Sequence, residues 1–263
     1  MPLKVNADDF GKDEAVNRAI CEAFANGYID TTTLMVNMPG ADEAYKLASV
    51  NGFTGRVGIH LNLTEGMPLT TAIRNNPLIC APDGSFNAAF YHNTKYRLYM
   101  DDQSVDMIRE ELDAQIALFL DMGFKNLHID SHHHVHTNYP VYRAIKQLKS
   151  RYDYAYIRLS RNLYRGGSPF NAAYKVMLNS ALKHLAPTSR YFGSYRDLLE
   201  YFSIDPGRPG ARAGEMPPAM KRLISGSEVE IMVHPLYNAA GVLVDTDIPM
   251  NEEQRLLKPQ MTD

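Results

Sequence analysis

The chain has 263 residues, of which 45% are hydrophobic and 22% charged, as in an ordinary globular protein. A formal net charge of -3 argues against nucleic acid and anionic membranes as partners, and no apolar run reaches the ~18 residues of a membrane span. The first residues lack the apolar core of a signal peptide, and Cys21 and Cys80 form no disulfide framework. A reducing cytoplasm is therefore the expected location.

Strand-like and helix-like segments alternate along the chain, as the spacing of apolar residues indicates. The predicted strands are residues 3–6, 31–37, 56–63, 126–130, 154–159 and 228–233. The predicted helices are residues 12–26, 41–49, 105–122, 139–150 and 170–185, and residues 191–201 are expected to form a turn and then a helix. Residues 204–218 are rich in Gly and Pro and predict a loop.

Residues 64 to about 103 interrupt this alternation. Pro68, Pro77 and Pro82 fall within the segment, together with several Gly and Asn residues and many aromatics. Long connections of this kind are usually functional loops, so the segment predicts a lid-like insertion over a binding site. Apart from this insertion, residues 1–263 are expected to form a single domain.

Repeated βα units favour a parallel sheet with helices around it. Several predicted strands end in polar residues, and catalytic groups of a (β/α) barrel gather at the carboxyl ends of its strands. The pattern predicts an α/β fold, an irregular TIM-like (β/α) barrel with about seven strands. An open doubly wound sheet is the alternative, but neither a Gly-x-Gly-x-x-Gly fingerprint nor a P-loop supports it.

The most informative segment is His128-Ile129-Asp130-Ser131-His132-His133-His134-Val135-His136. Imidazole and carboxylate groups are the usual protein ligands of a catalytic divalent metal. His132 lies closest to the predicted strand end and is the preferred ligand, while Asp130 and the other histidines could orient ligands. The run is short, central and interrupted, which argues against a purification tag; a solvated loop is the ordinary alternative.

Five other residues at predicted strand ends are candidates for the same site. Asp8 and Asp9 could divide metal binding and proton abstraction between them, or could cap the following helix. His60 is a ligand if it converges with the histidine segment, and otherwise a core residue. Arg158 could clamp a catalytic carboxylate or lie at the surface. His234, followed by Pro235, is placed to act as a general acid.

Four segments together resemble the YdjC-like family of carbohydrate deacetylases, which includes bacterial chitooligosaccharide deacetylases. The segments are Val5-Asn6-Ala7-Asp8-Asp9-Phe10-Gly11, Gly58-Ile59-His60-Leu61-Asn62-Leu63-Thr64, the histidine segment above, and Met232-Val233-His234-Pro235. They occur in the order found in the family. The resemblance implies an irregular (β/α) barrel related to polysaccharide deacetylases, a bound Mg²⁺ or Zn²⁺ ion, and a metal triad of Asp9, His60 and His132.

By comparison with the NodB-type polysaccharide deacetylases, the resemblance also implies catalytic roles for three residues. Asp8 would be the general base, Arg158 its partner and His234 the general acid. The implied activity is metal-dependent removal of N-acetyl groups from amino sugars or short oligosaccharides, and a homodimer is possible by analogy. A metal-dependent phosphoesterase, a glycosidase with paired carboxylates and a non-catalytic sugar-binding protein are the alternatives.

Overall fold

Seven parallel strands form the central sheet of this protein, in a computed structural model that describes residues 3–164, 166–202 and 218–248. The strands are β1 (Leu3–Phe10), β2 (Thr31–Leu34), β3 (Val57–Leu61), β4 (His128–Ser131), β5 (Tyr156–Ile157), β6 (Tyr191–Ser194) and β7 (Val229–Val233). Their order, β5-β4-β3-β2-β1-β7-β6, is the cyclic chain order of a barrel, opened between β5 and β6.

The sheet is strongly curled. In a flat sheet β5 and β1 would lie about 19 Å apart, because four steps of about 4.8 Å separate them. Yet Arg158, directly after β5, contacts Asp8 of β1 at 2.6 Å. Backbone amides of Asn162 and Leu163 also donate to the carbonyl of Phe192 in β6, at 3.0 and 3.1 Å, across the open edge. The predicted TIM-like barrel of about seven strands is therefore confirmed.

Helices surround the sheet and bury its outer face. They are α1 (Glu14–Ala25), α2 (Ala41–Val50), α3 (Thr71–Arg74), α4 (Ala89–His92), α5 (Thr94–Leu98), α6 (Asp102–Asp121), α7 (Tyr139–Leu148), α8 (Pro169–Lys183), α9 (Tyr195–Tyr201) and α10 (Pro218–Gly226). Asp13 caps α1 by accepting the amide of Val16, so Asp8 and Asp9 are not its N-cap. Among the described residues, no helix is long and apolar enough to cross a membrane.

The segment from residue 64 to 103 contains the three short helices α3, α4 and α5. It is tied to α6 through Glu111, whose carboxylate accepts the backbone amides of Leu69 and Thr70 at 3.0 and 2.8 Å. A second tie joins Asn76 to Ser104 at 3.0 Å. The segment is therefore anchored at its first half on the helix that follows it.

Two parts of the carboxyl-terminal region differ from the expectation. Residues Tyr191–Ser194 form strand β6 rather than a turn, because they pair in register with β7. A hairpin of β8 (Pro235–Tyr237) and β9 (Leu243–Asp245), absent from the predicted elements, follows β7. The loop predicted at residues 204–218 lies outside the described residues, except Pro218, where α10 begins.

Candidate active site

The carboxyl end of β1 is irregular and directs two adjacent carboxylates to different partners. The pairing of β1 with β2 shifts register between Ala7 and Phe10, and Asp9 has a φ of 68°. A bulge of this kind re-aims side chains and increases local twist. Asp8 consequently contacts Arg158, whereas Asp9 contacts the histidines. Positive φ in a non-glycine residue is costly, so the surrounding contacts must hold Asp9 in this conformation.

The three residues expected as metal ligands converge. One oxygen of Asp9 lies 3.2 Å from Nε2 of His60 and 2.8 Å from Nδ1 of His132. The ligand atoms of the three residues all lie within 4.8 Å of one another. One carboxylate oxygen and two imidazole nitrogens at this spacing are a chemically suitable donor set for a divalent ion. His60 and His132 are buried and Asp9 is partly buried, so the three ligand atoms are largely shielded from solvent.

His60 is held from behind by two side chains of neighbouring strands. Its Nδ1 lies 2.7 Å from Asp130 of β4 and 3.1 Å from the hydroxyl of Thr33 in β2. Burial alone would lower the pKa of His60, but the Asp130 and Asp9 carboxylates raise it to about 10. The same concentration of negative charge favours a divalent cation in front of the imidazole.

Arg158 connects three carboxylates in the barrel interior. Its side chain is fully buried. Both terminal nitrogens donate to Asp8, one of them also lies 2.8 Å from Asp130, and Nε donates to Glu230 at 3.0 Å. The surface alternative for Arg158 is therefore wrong. The guanidinium links the carboxylate expected to act as base with the carboxylate that holds His60.

The surroundings of the Asp8 carboxylate favour its ionised form. Burial would raise its pKa, but the Arg158 guanidinium and the nearby His60 lower it well below the ordinary value. The side-chain amide of Asn6 donates a further hydrogen bond to Asp8 at 2.8 Å. Asp8 is only 1% exposed, so these partners lie within the buried interior of the barrel.

His234 stands at the end of β7 and is held by the β8–β9 hairpin. Its backbone amide donates to Asp245 at 3.0 Å, and its carbonyl accepts the amide of Thr246 at 3.1 Å. Its ring Nδ1 lies 3.3 Å from a carboxylate oxygen of Asp247. Burial would lower the pKa of His234, but Asp247 and the more distant Asp8 raise it to about 10.

The remaining histidines of the segment do not join the metal group. His133 and His134 have φ values of 51° and 56°, which turn the chain sharply after β4. This turn brings His136 back to Ser131, whose hydroxyl lies 2.6 Å from its Nδ1, while Nε2 lies 3.2 Å from the carbonyl of Arg158. Both ring nitrogens of His136 therefore have partners within the core.

All six residues singled out in the sequence lie at this end of the barrel, and their roles remain predictions. Three further carboxylates, Glu230, Asp247 and Glu65, lie among these residues and were not predicted from the sequence. Glu230 carries a detectable signal, since a carboxylate interrupts the apolar run Val-Glu-Ile-Met-Val of β7. Glu65 follows the His60 segment directly and lies 3.0 Å from His132, but nothing in local spacing indicates that contact.

Comparison with known proteins gives the same family as the motifs. The family model described as YdjC-like protein matches residues 2–260. A carbohydrate deacetylase of Geobacillus stearothermophilus is 33% identical over 233 residues, which cover 89% of this chain and 78% of that protein. Carbohydrate deacetylases of Clostridium beijerinckii and Halalkalibacterium halodurans are 38% and 37% identical, each over 58% of this chain. The match spans only 58% and 62% of those two relatives.

A solved structure from Enterococcus faecalis, described as that of a candidate cellobiose-phosphate cleavage protein, shares the fold. It superposes with a TM-score of 0.63 at 24% sequence identity and covers 90% of this chain and 82% of that one. This likeness supports the barrel alone. The match of the family model over almost the whole chain shows that the protein belongs to the YdjC-like family.

Proposed function

We propose that this protein is a carbohydrate deacetylase that hydrolyses the N-acetyl group of an amino sugar or short oligosaccharide. The observation that carries the proposal is the placement of Asp9, His60 and His132 beside the Asp8–Arg158 pair. Relatives named carbohydrate deacetylases support the substrate class. The free cysteines Cys21 and Cys80 support a cytoplasmic location.

In this proposal Asp9, His60 and His132 hold a divalent ion, Mg²⁺ or Zn²⁺. When bound, such an ion polarises a carbonyl oxygen and makes water a better nucleophile near neutral pH. His60 and His132 can act as ligands because each presents one ring nitrogen towards Asp9. The imidazole and carboxylate donors suit Zn²⁺ or a similar transition metal better than Mg²⁺, which prefers oxygen.

The protein groups supply the proton transfers of amide hydrolysis. Asp8, kept ionised by Arg158, accepts a proton from the water that attacks the acetyl carbonyl carbon. His234, kept protonated by Asp247, donates a proton to the amine nitrogen as the carbon–nitrogen bond breaks. The products are acetate and a free amino sugar, and the two groups then exchange protons with water.

The insertion supports a sugar substrate through an aromatic residue beside the site. The ring of Tyr91 in α4 stacks on His133 with ring centroids 4.9 Å apart and an angle of 9°. His133 is itself the neighbour of His132, with ring centroids 4.0 Å apart. We propose that residues 64–103 form a lid that contacts the sugar from this side, within one domain spanning the chain.

The test is acetate release from a panel of N-acetylated mono- and disaccharides. The protein is assayed as purified, after metal stripping, and after addition of Mg²⁺, Zn²⁺, Mn²⁺ or Co²⁺. We expect metal-dependent acetate release that is lost in Asp9→Asn and kept in Glu110→Gln, a change on the exposed face of α6. Hydrolysis of chromogenic phosphoesters without acetate release would overturn the proposal in favour of a phosphoesterase.

A further inference from the structure

The two histidines of the metal group are arranged alike. Each directs one ring nitrogen to Asp9, at 3.2 Å for His60 and 2.8 Å for His132. Each directs its other nitrogen to a second carboxylate. For His60 this partner is Asp130 at 2.7 Å, and for His132 it is Glu65 at 3.0 Å.

This arrangement has a known physical consequence. An imidazole that donates its second N–H to a carboxylate is fixed in tautomer and ring orientation, and its free nitrogen becomes a better metal ligand. Asp130 meets this requirement for His60 from the strand next to it. Glu65 meets it for His132 from the segment after β3, so the two ligands have separate supports.

Glu65 is itself held in place by its surroundings. Its Oε2 accepts a hydrogen bond from the ammonium group of Lys12 at 2.8 Å and also contacts Nε2 of His132. Its backbone carbonyl accepts the side-chain amides of Asn62 at 2.7 Å and Asn37 at 3.3 Å, and its amide donates to Asn62 at 3.1 Å. These contacts fix the chain at Glu65 and so restrict where its carboxylate can lie.

Glu65 and Asp130 differ in their access to solvent. The Asp130 side chain is fully buried, whereas 36% of the Glu65 side chain is exposed. An exposed ion pair such as Lys12–Glu65 contributes little stability by itself, because water screens it. The second partner of the Glu65 carboxylate is the His132 ring, which is only 7% exposed, so Glu65 also reaches into the buried part of the site.

We propose that Glu65 is a positioning residue that orients His132 as a metal ligand, and that Lys12 in turn holds Glu65. The inference rests on the metal site of the proposed function. Glu65 contacts the nitrogen of His132 that faces away from Asp9, so it supports the ligand rather than joining the ligand set.

The test measures metal binding directly, with Glu65→Gln, Glu65→Asp, Lys12→Met and the control Glu110→Gln. Stripped proteins are titrated with Co²⁺ and Zn²⁺ by calorimetry, and their thermal unfolding confirms that each variant is folded. We expect Glu65→Gln to weaken metal binding by about 10- to 100-fold. Lys12→Met should weaken it less, Glu65→Asp should recover part of the loss, and Glu110→Gln should match the wild type.

The absorption spectrum of the Co²⁺-loaded protein shows whether Glu65 only positions His132 or binds the metal itself. We expect Glu65→Gln at saturating Co²⁺ to keep the band positions of the wild type, because the ligand set is unchanged. Bands that change to those of a different coordination number would overturn the inference and make Glu65 a ligand. An unchanged dissociation constant in Glu65→Gln would overturn it as well.

Acetate release is measured on the same samples, so that two failures can be told apart. Wild-type protein that binds metal without releasing acetate would contradict the deacetylase activity alone. Wild-type protein that binds neither Co²⁺ nor Zn²⁺ would overturn both the metal site and the role of Glu65.

Discussion

Arg158 donates hydrogen bonds from its two terminal nitrogens to the two oxygens of Asp8, at 2.6 and 2.7 Å. This fork-to-fork contact fixes the orientation of the carboxylate as well as its charge. Because the same guanidinium also contacts Asp130 and Glu230, one buried cation is shared by three buried carboxylates. The position of the expected base and the support of His60 therefore depend on the same side chain.

Replacing Arg158 by Met should destabilise the protein strongly. Loss of the guanidinium leaves Asp8, Asp130 and Glu230 buried without their shared cation, and breaking a buried pair costs about 3–5 kcal/mol. Urea unfolding measures this loss. The matched control is Arg143→Met, which removes the exposed pair with Asp102 and should cost less than about 1 kcal/mol. Equal effects of the two changes would show that the Arg158 network contributes no special stability.

Replacing Asp8 by Asn should abolish turnover while metal remains bound. The change preserves the size of the side chain but removes the charge that accepts the proton. Acetate release and metal content of the purified variant are the two measurements. If the variant keeps most of its activity, Asp8 is not the base, and its contact with Arg158 serves structure only.

The predictable part of this site comes from how a parallel barrel is built. Polar residues that directly follow apolar strands must gather at one end, so Asp9, His60 and His132 could be placed together from sequence. Their contacts could not be derived this way, because the bulge that re-aims Asp9 depends on the register of β1 against β2. The sequence left Arg158 open between a carboxylate clamp and a surface residue, because its burial depends on the curl of the sheet.

Two kinds of feature were not predicted from the sequence: strands of only a few residues, and contacts between residues that are far apart in the chain. Strands β8 and β9 have three residues each, too few for an alternation pattern to be detected. Because this hairpin was not predicted, the sequence did not indicate that the chain returns Asp247 to His234, which it contacts. Glu65 and His132 are far apart in the chain, and only the fold brings them within 3.0 Å. Such contacts require the three-dimensional arrangement.

Replacing Tyr91 by Ala should weaken substrate binding more than it slows chemistry. Tyr91 belongs to the insertion, and its ring contacts among the described residues are with His92 and His133. We expect KM to rise several-fold with kcat changed less, and Tyr91→Phe to retain the wild-type values because the ring stays. A fall in kcat with KM unchanged would contradict a role of the insertion in sugar binding.

Replacing Asp247 by Asn should shift the alkaline limit of activity to lower pH. Despite burial, Asp247 and nearby carboxylates raise the pKa of His234 from 6.5 to about 10, so the acid form persists above neutral pH. Without the Asp247 charge the imidazolium is less stabilised, and His234 loses its proton at a lower pH. The pH dependence of kcat measures this shift. An alkaline limb that stays in place would exclude His234 as the acid.

Asp245 ends β9 and accepts the backbone amide of Asp247, and its replacement by Asn should change stability in a way that depends on pH. Burial raises the pKa of Asp245 from 3.8 to about 6, and His234 only partly offsets this. Because the folded-state pKa is raised, ionised Asp245 destabilises the fold above pH 6, and this cost disappears as pH falls towards 4. Asparagine keeps the oxygen that accepts the amides of His234 and Asp247.

Asp245→Asn should therefore raise the melting temperature at pH 8 and leave it nearly unchanged at pH 4. Calorimetric melting at the two pH values checks this expectation, with Asp247→Asn, two residues after the hairpin, as the matched control. Asp247 has a lowered pKa, owing chiefly to its contact with His234 against the opposing effect of burial. Its replacement should lower the melting temperature at pH 8, so the two neighbouring substitutions should have opposite signs. A melting temperature at pH 8 that falls in both variants would show that the charge of Asp245 is already compensated in the folded protein.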